Sequence, residues 1–407
     1  MKLMIKSKYS ILQIIQLFLI FLMSLNFANL YFYIIFFAFF VCVAANFRRF
    51  KFDIVAICLI LIAIFYILFF PPTRDSYTTI LKQFSYAMCY LIGLNMFQEN
   101  QNISEDNIFL DKQIKCAIMT VAAGTFLHYI LNAVINIGSL VRNTVDFWTG
   151  DVVSATDQAL LPTIALGVFS VYLVGEGSFV KKICSLLGLI AIFAYNFVLA
   201  GRTLLILEAI LLFVAYLFIY KHMRVTARVK NTLFILVAII VLLILFVNNA
   251  WGMREWIINS NLNNRFEQQG MIDDIRFSRK IDYVMNMFKF PFGGGELREA
   301  VGGYAHELYL DAFSDIGFFG YILIIAVVLA VMMSVVRLIK SEILMIETKA
   351  LLLCVFLGIN IVFFLEPILQ GEPWIFCVFC FLSGVVNHNL FFKNHRKRDG
   401  RKIAIWA

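Results

Sequence analysis

Charge is scarce in this sequence. Asp, Glu, Lys and Arg together make up 15% of the 407 residues, whereas hydrophobic residues make up 62%. Because an ordinary soluble domain carries about 25% charged residues, this composition excludes an ordinary soluble globular protein. Hydrophilic stretches are scarce too, and residues 251–307 form the only long one.

Apolar runs take the place of the missing charge. A helix needs about 20 apolar residues to cross the hydrocarbon core of a bilayer, and about twelve such runs recur along the chain. They lie near 9–27, 29–47, 52–70, 77–97, 113–137, 157–175, 183–200, 203–220, 232–250, 308–336, 350–366 and 372–391. Runs this long satisfy their backbone in lipid only as helices. The sequence therefore predicts an all-α polytopic membrane protein with about twelve transmembrane helices.

Lys and Arg are unevenly distributed among the connections. If the N-terminus is cytoplasmic, the inner segments hold Lys2, Lys6, Lys8, Arg48, Arg49, Lys51, Lys181, Lys182, Lys221, Arg224, Arg228, Lys230, Arg337, Lys340, Lys349 and the tail 393–402. The short outer connections carry little beyond Arg74, Arg142 and Arg202. Since inner loops are enriched in Lys and Arg, both termini are predicted to be cytoplasmic. The first run lacks a convincing cleavage site, so we interpret it as a span rather than a signal peptide.

Two classes of partner are disfavoured by the same residues. The net charge of +8 follows from the inner-loop bias, and no basic soluble face suits a nucleic acid. The spacing of CVFC at 377–380 resembles half of a metal site, but it lies inside an apolar run and has no second pair. We therefore expect neither a metal nor a nucleic-acid partner.

The hydropathy pattern divides the chain into four parts. Transmembrane helices one to nine are expected over 1–250, a large extracytoplasmic loop over 251–307, three further helices over 308–392 and a basic cytoplasmic tail over 393–407. A loop this long is usually functional. Its seven basic residues are Arg254, Arg265, Arg276, Arg279, Lys280, Lys289 and Arg298. This bias toward Arg favours contact with phosphate, because the guanidinium is a planar fork of donors.

The loop segment 272–290 has the spacing of an amphipathic helix. One side carries the apolar residues Ile272, Ile275, Val284 and Phe288, and the other side carries Arg276, Arg279, Lys280 and Tyr283. A surface helix lying on the headgroups, with Arg276 and Arg279 against lipid phosphate, has the same pattern. The alternative interpretation, a helix that helps to form a site, stays open at this point.

The stretch GGYAHELYLDAFSDIGFFGY at 302–321 places ionisable groups against an apolar run. We predict a helix from Ala305, with Glu307, Asp311 and Asp315 on one face and His306 on another. Charges near a bilayer are costly to hold, so these groups are expected to face water or a cavity. Gly317 and Gly320, further along the same helix, allow a kink or close packing as it enters the membrane.

A second cationic position is Arg202, at the outer start of the eighth predicted span. An Arg there can simply extend to the headgroups. Glu208 lies one and a half turns deeper, and an intramembrane carboxylate suggests a partner that the sequence does not identify.

Together these motifs resemble the O-antigen polymerase and ligase superfamily (Wzy and WaaL). GRT at 201–203 opens a late span, RFSRKIDYVMNMFKFPFGGG at 276–295 resembles the family's element of Arg, amphipathic helix, Pro and Gly turn, and HELYLDAFSDIGFFGYI at 306–322 resembles its His-Asn-x-x-Leu run. The resemblance is sharp over about residues 200–335. One departure is Glu307, which stands where the family usually has Asn.

The resemblance implies a GT-C-like fold and a bacterial inner-membrane glycosyltransferase that needs no metal or other cofactor. The donor would be an oligosaccharide on undecaprenyl pyrophosphate. By position, Arg202, Arg276 and His306 match the family's functional residues, and Arg265 is a weaker match.

For the chemistry we expect His306 or Glu307 to activate the acceptor hydroxyl, and Arg276 and Arg202 to stabilise the pyrophosphate leaving group. The expected substrate-binding residues are Arg265, Arg279, Tyr283 and Asp311.

The predicted function is a polysaccharide polymerase of O-antigen or capsule type, with membrane lipids and a chain-length regulator protein as further partners. An O-antigen ligase acting on lipid A core has the same residues. A lipid-linked oligosaccharide transporter, or flippase, is the alternative from another class, because twelve spans with both termini inside suit one. Its halves would be related, with sites near the midplane, whereas here the polar groups concentrate in one outer loop.

Overall fold

A computed structural model describes residues 10–69, 74–97, 106–136, 143–264 and 275–405, with the backbone alone at 74–81, 106–108, 275–277 and 391–405. The described chain is almost entirely helical. Its helices are α1 Ile11–Ser24, α2 Tyr31–Asn46, α3 Ile54–Phe69, α4 Arg74–Asn95, α5 Asp106–Ile135, α6 Ala155–Leu160, α7 Thr163–Val174, α8 Phe179–Leu199, α9 Arg202–His222, α10 Val225–Val247, α11 Met253–Ile258, α12 Ile275–Asn286, α13 Gly295–Val301, α14 Leu308–Ile339, α15 Ile346–Leu365 and α16 Pro373–Ile405. A short antiparallel hairpin pairs β1, Thr144–Val145, with β2, Val152–Val153.

Helices occupy all twelve predicted apolar runs, and the run 157–175 is divided between α6 and α7. Within the described ranges, nine helices are long and apolar enough to cross a membrane, and α1 and α3 are shorter apolar helices. The protein is therefore an all-α polytopic membrane protein. The number of crossings, the orientation of the termini and the GT-C-like arrangement stay predictions.

The most extensive contact between two described helices joins α4 and α16. Two glycines make it possible, because a Cβ atom at Gly93 would overlap the carbonyl oxygen of Phe381 and one at Gly384 would overlap that of Tyr90. Small residues let membrane helices approach closely and gain van der Waals contact. Large buried side chains such as Trp374 and Phe376 fill the space around this crossing.

Helix α14 passes between α3 and α15 and is kinked at the predicted glycine. Gly317 has φ +65°, and Ile316 is also non-helical, so the expected kink is confirmed. The turn 291–294 docks into it. Phe318 N–H donates to the Pro291 carbonyl (3.0 Å) and Gly294 N–H donates to the Ser314 carbonyl (2.8 Å).

The start of α14 differs from the expectation. The helix begins at Leu308 rather than at Ala305, with Glu307 in an extended conformation before it. The reason is local backbone geometry, because Gly302, Gly303 and His306 have φ of +76°, +114° and +60°. A right-handed helix cannot include positive φ. His306 and Glu307 are therefore presented by a turn, not by a helix face.

Candidate functional site

The described part of the long loop packs over the beginning of α14. One buried apolar cluster joins the elements: Tyr283, Met287, Leu297, Val301, Ala305, Leu310 and Phe313. The cluster fixes residues 303–307 against α14. We call the end of the bundle formed by α12, α13 and residues 303–316 the site end.

At the site end, Asp311 holds the backbone of His306 in place. The N–H of His306 and that of Ala305 donate to Oδ1 of Asp311, at 3.2 and 3.0 Å. Asp311 is fully buried. It was predicted to bind substrate, but here it binds the turn that carries His306. The His306 side chain itself is half-buried.

Glu307, beside His306, forms an ion pair with α12. Its Oε2 lies 3.3 Å from Nζ of Lys280, which also donates to the Phe364 carbonyl at 2.7 Å. One ammonium therefore joins α12 to α14 and α15. Burial raises the pKa of Glu307, and the Lys280 charge partly offsets this effect. A carboxyl with a raised pKa is a better proton acceptor near neutral pH.

A second group at the site end surrounds Asp315, which is 6% exposed. Its carboxylate accepts hydrogen bonds from Tyr66 Oη (2.9 Å), Arg298 Nη1 (3.4 Å), Tyr304 Oη (3.4 Å) and Gln370 Nε2 (3.5 Å). These partners come from four separate parts of the chain. Burial, and then the Asp315 charge, raise the pKa of Tyr304.

This group was missing from the predicted site. The single Tyr66 hydroxyl inside an apolar helix could have indicated a buried polar partner, because polar groups embedded in a membrane need partners. The sequence nevertheless gave no means of pairing Tyr66 with Asp315, which is 249 residues away.

Two of the predicted substrate-binding residues support the turn before His306 instead. Arg279 is half-buried and donates from Nη1 to the Tyr304 carbonyl (3.1 Å). Tyr283 is fully buried, donates to the Gly303 carbonyl (2.9 Å) and contacts Ser314 Oγ (3.2 Å). Burial raises the pKa of Tyr283. In contrast, Val284 on α12 and Phe288, just after its end, are 54% and 86% exposed, so α12 meets the protein through the side that carries Tyr283.

Arg202 lies on the same end of the molecule, at the first position of α9, and is half-buried. The turn before it is tight, since Ala200 has φ +55° and Asn196 Nδ2 donates to the Gly201 carbonyl at 2.9 Å. A Cβ at Gly201 would lie 3.6 Å from Ala159 of α6.

Helix α6 in turn contacts the segment that reaches Asp315. A Cβ at Gly371 would overlap the Asp157 carboxyl, and the neighbouring Gln370 bonds to Asp315. A chain of contacts therefore joins the turn before α9 to the Asp315 group.

Two further predicted residues are not placed by the structure. Arg265 lies outside the described residues, and Arg276 belongs to α12 but its side chain lies outside the described part. The relation of these two cations to His306 stays a prediction.

A third polar group lies between α5, the hairpin and the start of α16. His128 Nε2 lies 2.8 Å from Asp146 Oδ2, and Asn132 Nδ2 donates to Gln158 Oε1 at 2.9 Å. Burial alone would raise the pKa of Asp146, but the hydrogen bond and charge of His128 and two backbone N–H groups lower it to about 2. His128 and Asn132 lie one turn apart in an apolar run, and this spacing in the sequence could have indicated a polar group on one face of the helix.

Glu372 lies near this third group and has the opposite shift. The residue as a whole is half-buried, but protein atoms surround its carboxyl group. This burial is the main reason that its pKa rises to about 8, and the negative charge of Asp157 adds to the rise. Trp374 Nε1 donates to its Oε2. Carboxyls of raised pKa thus lie at two places on this end of the protein.

The arrangement suits acid–base chemistry beside cations. A half-buried imidazole, a carboxyl of raised pKa and an ammonium lie within one turn and its neighbour α12. Aromatic and amide side chains surround Asp315. Comparison of the chain with protein-family models and with curated protein sequences finds no match.

Proposed function

We propose that this protein is a membrane glycosyltransferase that polymerises a polysaccharide from an oligosaccharide on undecaprenyl pyrophosphate, in the inner membrane of a bacterium. The observation that carries the proposal is the turn 303–307. It presents His306 next to the Lys280–Glu307 ion pair, directly before the first residue of α14. The resemblance of residues 200–335 to the O-antigen polymerase and ligase superfamily supports the same reaction.

In the proposed reaction an acceptor hydroxyl attacks the anomeric carbon of the donor. The new C–O bond forms as the bond to pyrophosphate breaks, and the hydroxyl proton passes to a base at the site. His306 or Glu307 takes this proton, since imidazole titrates near neutral pH and burial raises the pKa of Glu307.

The electron pair of the broken bond leaves with the pyrophosphate. Fixed cations aimed at this developing charge lower the barrier, and Arg276 and Arg202 are the residues proposed for it. Lys280 is neutralised in part by Glu307. It also orients the carboxyl, so loss of Lys280 should impair proton transfer as well as charge stabilisation.

The test is to delete the gene in its own host and resolve the surface glycan by length. The strain is then complemented with wild type, Arg276→Ala, His306→Ala or Glu307→Gln. Matched controls are Arg254→Ala and Glu296→Gln, which change exposed residues of the same loop. We expect site variants to reduce polymer by about 100-fold or more, because a general base contributes about 10²–10⁴-fold, and controls to behave as wild type at equal membrane abundance.

The pattern of the deletion strain separates the related functions. Single repeat units that still reach the surface indicate a polymerase, whereas polymer left on its lipid carrier indicates a ligase. Purified protein with the lipid-linked donor should form polymer equally well with EDTA. A ladder of unchanged length in the deletion strain rejects glycan assembly altogether.

A further inference from the structure

Helix α10 stands apart from its neighbours and leaves a groove beside it. The groove has a volume of about 860 Å³ and is lined by apolar side chains of α7, α8, α9 and α10. At one end Asn231 ties α10 to the Val174 carbonyl (2.5 Å). At the other end the ring of Trp256 on α11 lies 5.5 Å from that of Phe197. The groove is thus bounded at both ends by these contacts and open along its side.

Its length and its apolar lining suit hydrocarbon chains. The lining residues of α10 run from Thr232 to Phe246, which is about 21 Å at 1.5 Å per residue. Hydrocarbon chains fit, because apolar atoms pack at about 4.0–4.5 Å.

One carboxyl oxygen in the groove has no hydrogen-bond partner among the described residues. Glu208 lines the groove and is 8% exposed, and its Oε2 makes no hydrogen bond within the described part of the protein. It lies about 9 Å along α9 from Arg202, at six residues of 1.5 Å each. A buried polar atom without a hydrogen bond is costly. A ligand hydroxyl, which donates to a carboxylate, or an ester carbonyl, which accepts from the protonated carboxyl, would supply the missing bond at this depth.

A polar cup adjoins the outer mouth of the groove. Its volume is about 250 Å³, and its lining residues include Glu255, Trp256, Asn259, Ser260 and Asn261. Trp256 lines both spaces. An indole ring and amide groups are the chemistry that recognises a sugar ring, whereas the Ser260 hydroxyl already donates to the Ile257 carbonyl. Among the described lining residues of the cup there is no Lys or Arg, and the Glu255 carboxylate would repel a phosphate.

We infer that the groove and the cup together bind an uncharged glycolipid. The sugar occupies the cup against Trp256, the ester or hydroxyl oxygens below it meet Glu208, and the hydrocarbon chains lie along α10. This site differs from the turn 303–307 in its elements and in its charge, and it does not depend on the function proposed above.

The test uses the full-length protein in lipid nanodiscs and a monohexosyl diacylglycerol with a photoreactive diazirine in one acyl chain. Illumination should label α8, α9 or α10 in a saturable way, as located by peptide mass spectrometry. Unlabelled monohexosyl diacylglycerol should compete at least tenfold better than phosphatidylglycerol with the same chains. Variants are compared at equal folded protein, measured by size-exclusion chromatography and thermal unfolding.

Matched substitutions on one helix locate the site. Ala238→Trp fills the groove and should reduce labelling at least tenfold, whereas Val237→Trp, on the exposed side of α10 outside the groove, should not. Trp256→Ala and Glu208→Leu should weaken competition by the glycolipid, and Glu208→Gln should retain it.

Three results would overturn the inference. Equal competition by phosphatidylglycerol would make the groove an ordinary position for bilayer lipid. Stronger competition by a polyprenyl-pyrophosphate glycan would show that the charge argument is wrong. Equal labelling of Ala238→Trp and Val237→Trp would place the bound lipid elsewhere.

Discussion

Removal of the Asp315 carboxylate should destabilise the site end strongly. Four donors converge on this side chain, but only the Tyr66 bond, at 2.9 Å, has a normal length, and the other three are 3.4–3.5 Å. A hydrogen bond to a charged group contributes about 1.5–3 kcal/mol, and the three long bonds add about 1 kcal/mol together. Asp315→Ala should therefore lower the free energy of unfolding by about 2.5–4 kcal/mol.

Thiol reactivity provides the assay. Among the described cysteines Cys42, Cys89, Cys354, Cys377 and Cys380 are buried and free, so a fluorogenic maleimide reports their exposure on heating. We expect Asp315→Ala to lower Tm by at least about 5 °C. The control Asp282→Ala, an exposed carboxylate of α12, should leave Tm unchanged.

A second substitution isolates the strong bond. Tyr66→Phe alone should lower the free energy of unfolding by about 1.5–2 kcal/mol. In the Asp315→Ala background the same substitution should cause almost no further loss, because its partner is already absent and the effects of coupled residues are not additive. Equal Tm values for Asp315→Ala and Asp282→Ala, or fully additive losses with Tyr66→Phe, would refute this account of the Asp315 group.

Three other outcomes follow from single features. The Glu372 carboxyl keeps its proton up to about pH 8 in the folded protein but releases it near 4.5 in the unfolded chain, so stability falls as pH rises between these values. Glu372→Gln should remove this fall, which is on the order of 2–4 kcal/mol at pH 8. Parallel profiles of Tm against pH for the variant and the wild type would contradict this prediction. Gly317→Ala should cost about 2–4 kcal/mol, because φ is +65° and the Cβ would overlap Pro291 and Phe292, whereas Gly295→Ala, which meets open space, should leave the Tm within about 2 °C of wild type. Gly384→Ala should lower Tm and membrane yield by separating α4 from α16, and Gly177→Ala, with ordinary contacts only, should change neither.

Hydropathy was sufficient to predict where the long apolar helices lie. Apolar runs near 9–27 and 372–391, for example, coincide with α1 and with the beginning of α16. The reason is that a bilayer imposes a length and a composition on every span, independent of its neighbours. The helix within 272–290 and the kink at Gly317 could be predicted for similar local reasons.

The site depended on information that local pattern does not carry. The left-handed conformation of His306 is unusual for a residue other than glycine, so the helix was expected to begin three residues too early. Tyr283 was assigned to the polar side of α12 because of its hydroxyl group, although most of its side chain is an apolar ring. The structure buries this side chain. The pairing of Asp315 with Tyr66 is set by helix packing alone.

The turn 291–294 has a mechanical consequence for the carboxyls of α14. By bonding to Ser314 and Phe318 on either side of the kink, this turn uses the backbone groups that the kink releases from the helix ladder. The loop thus cannot lift away from α14 without leaving those groups unpaired at the membrane surface. Because the turn is bonded on both sides of Gly317, bending at this kink would break one of the two bonds. Residues 308–316, the turn and the part of α14 after the kink should therefore tilt as one body, so a tilt of α14 in a thinner bilayer would change the position of Asp311 and Asp315 together.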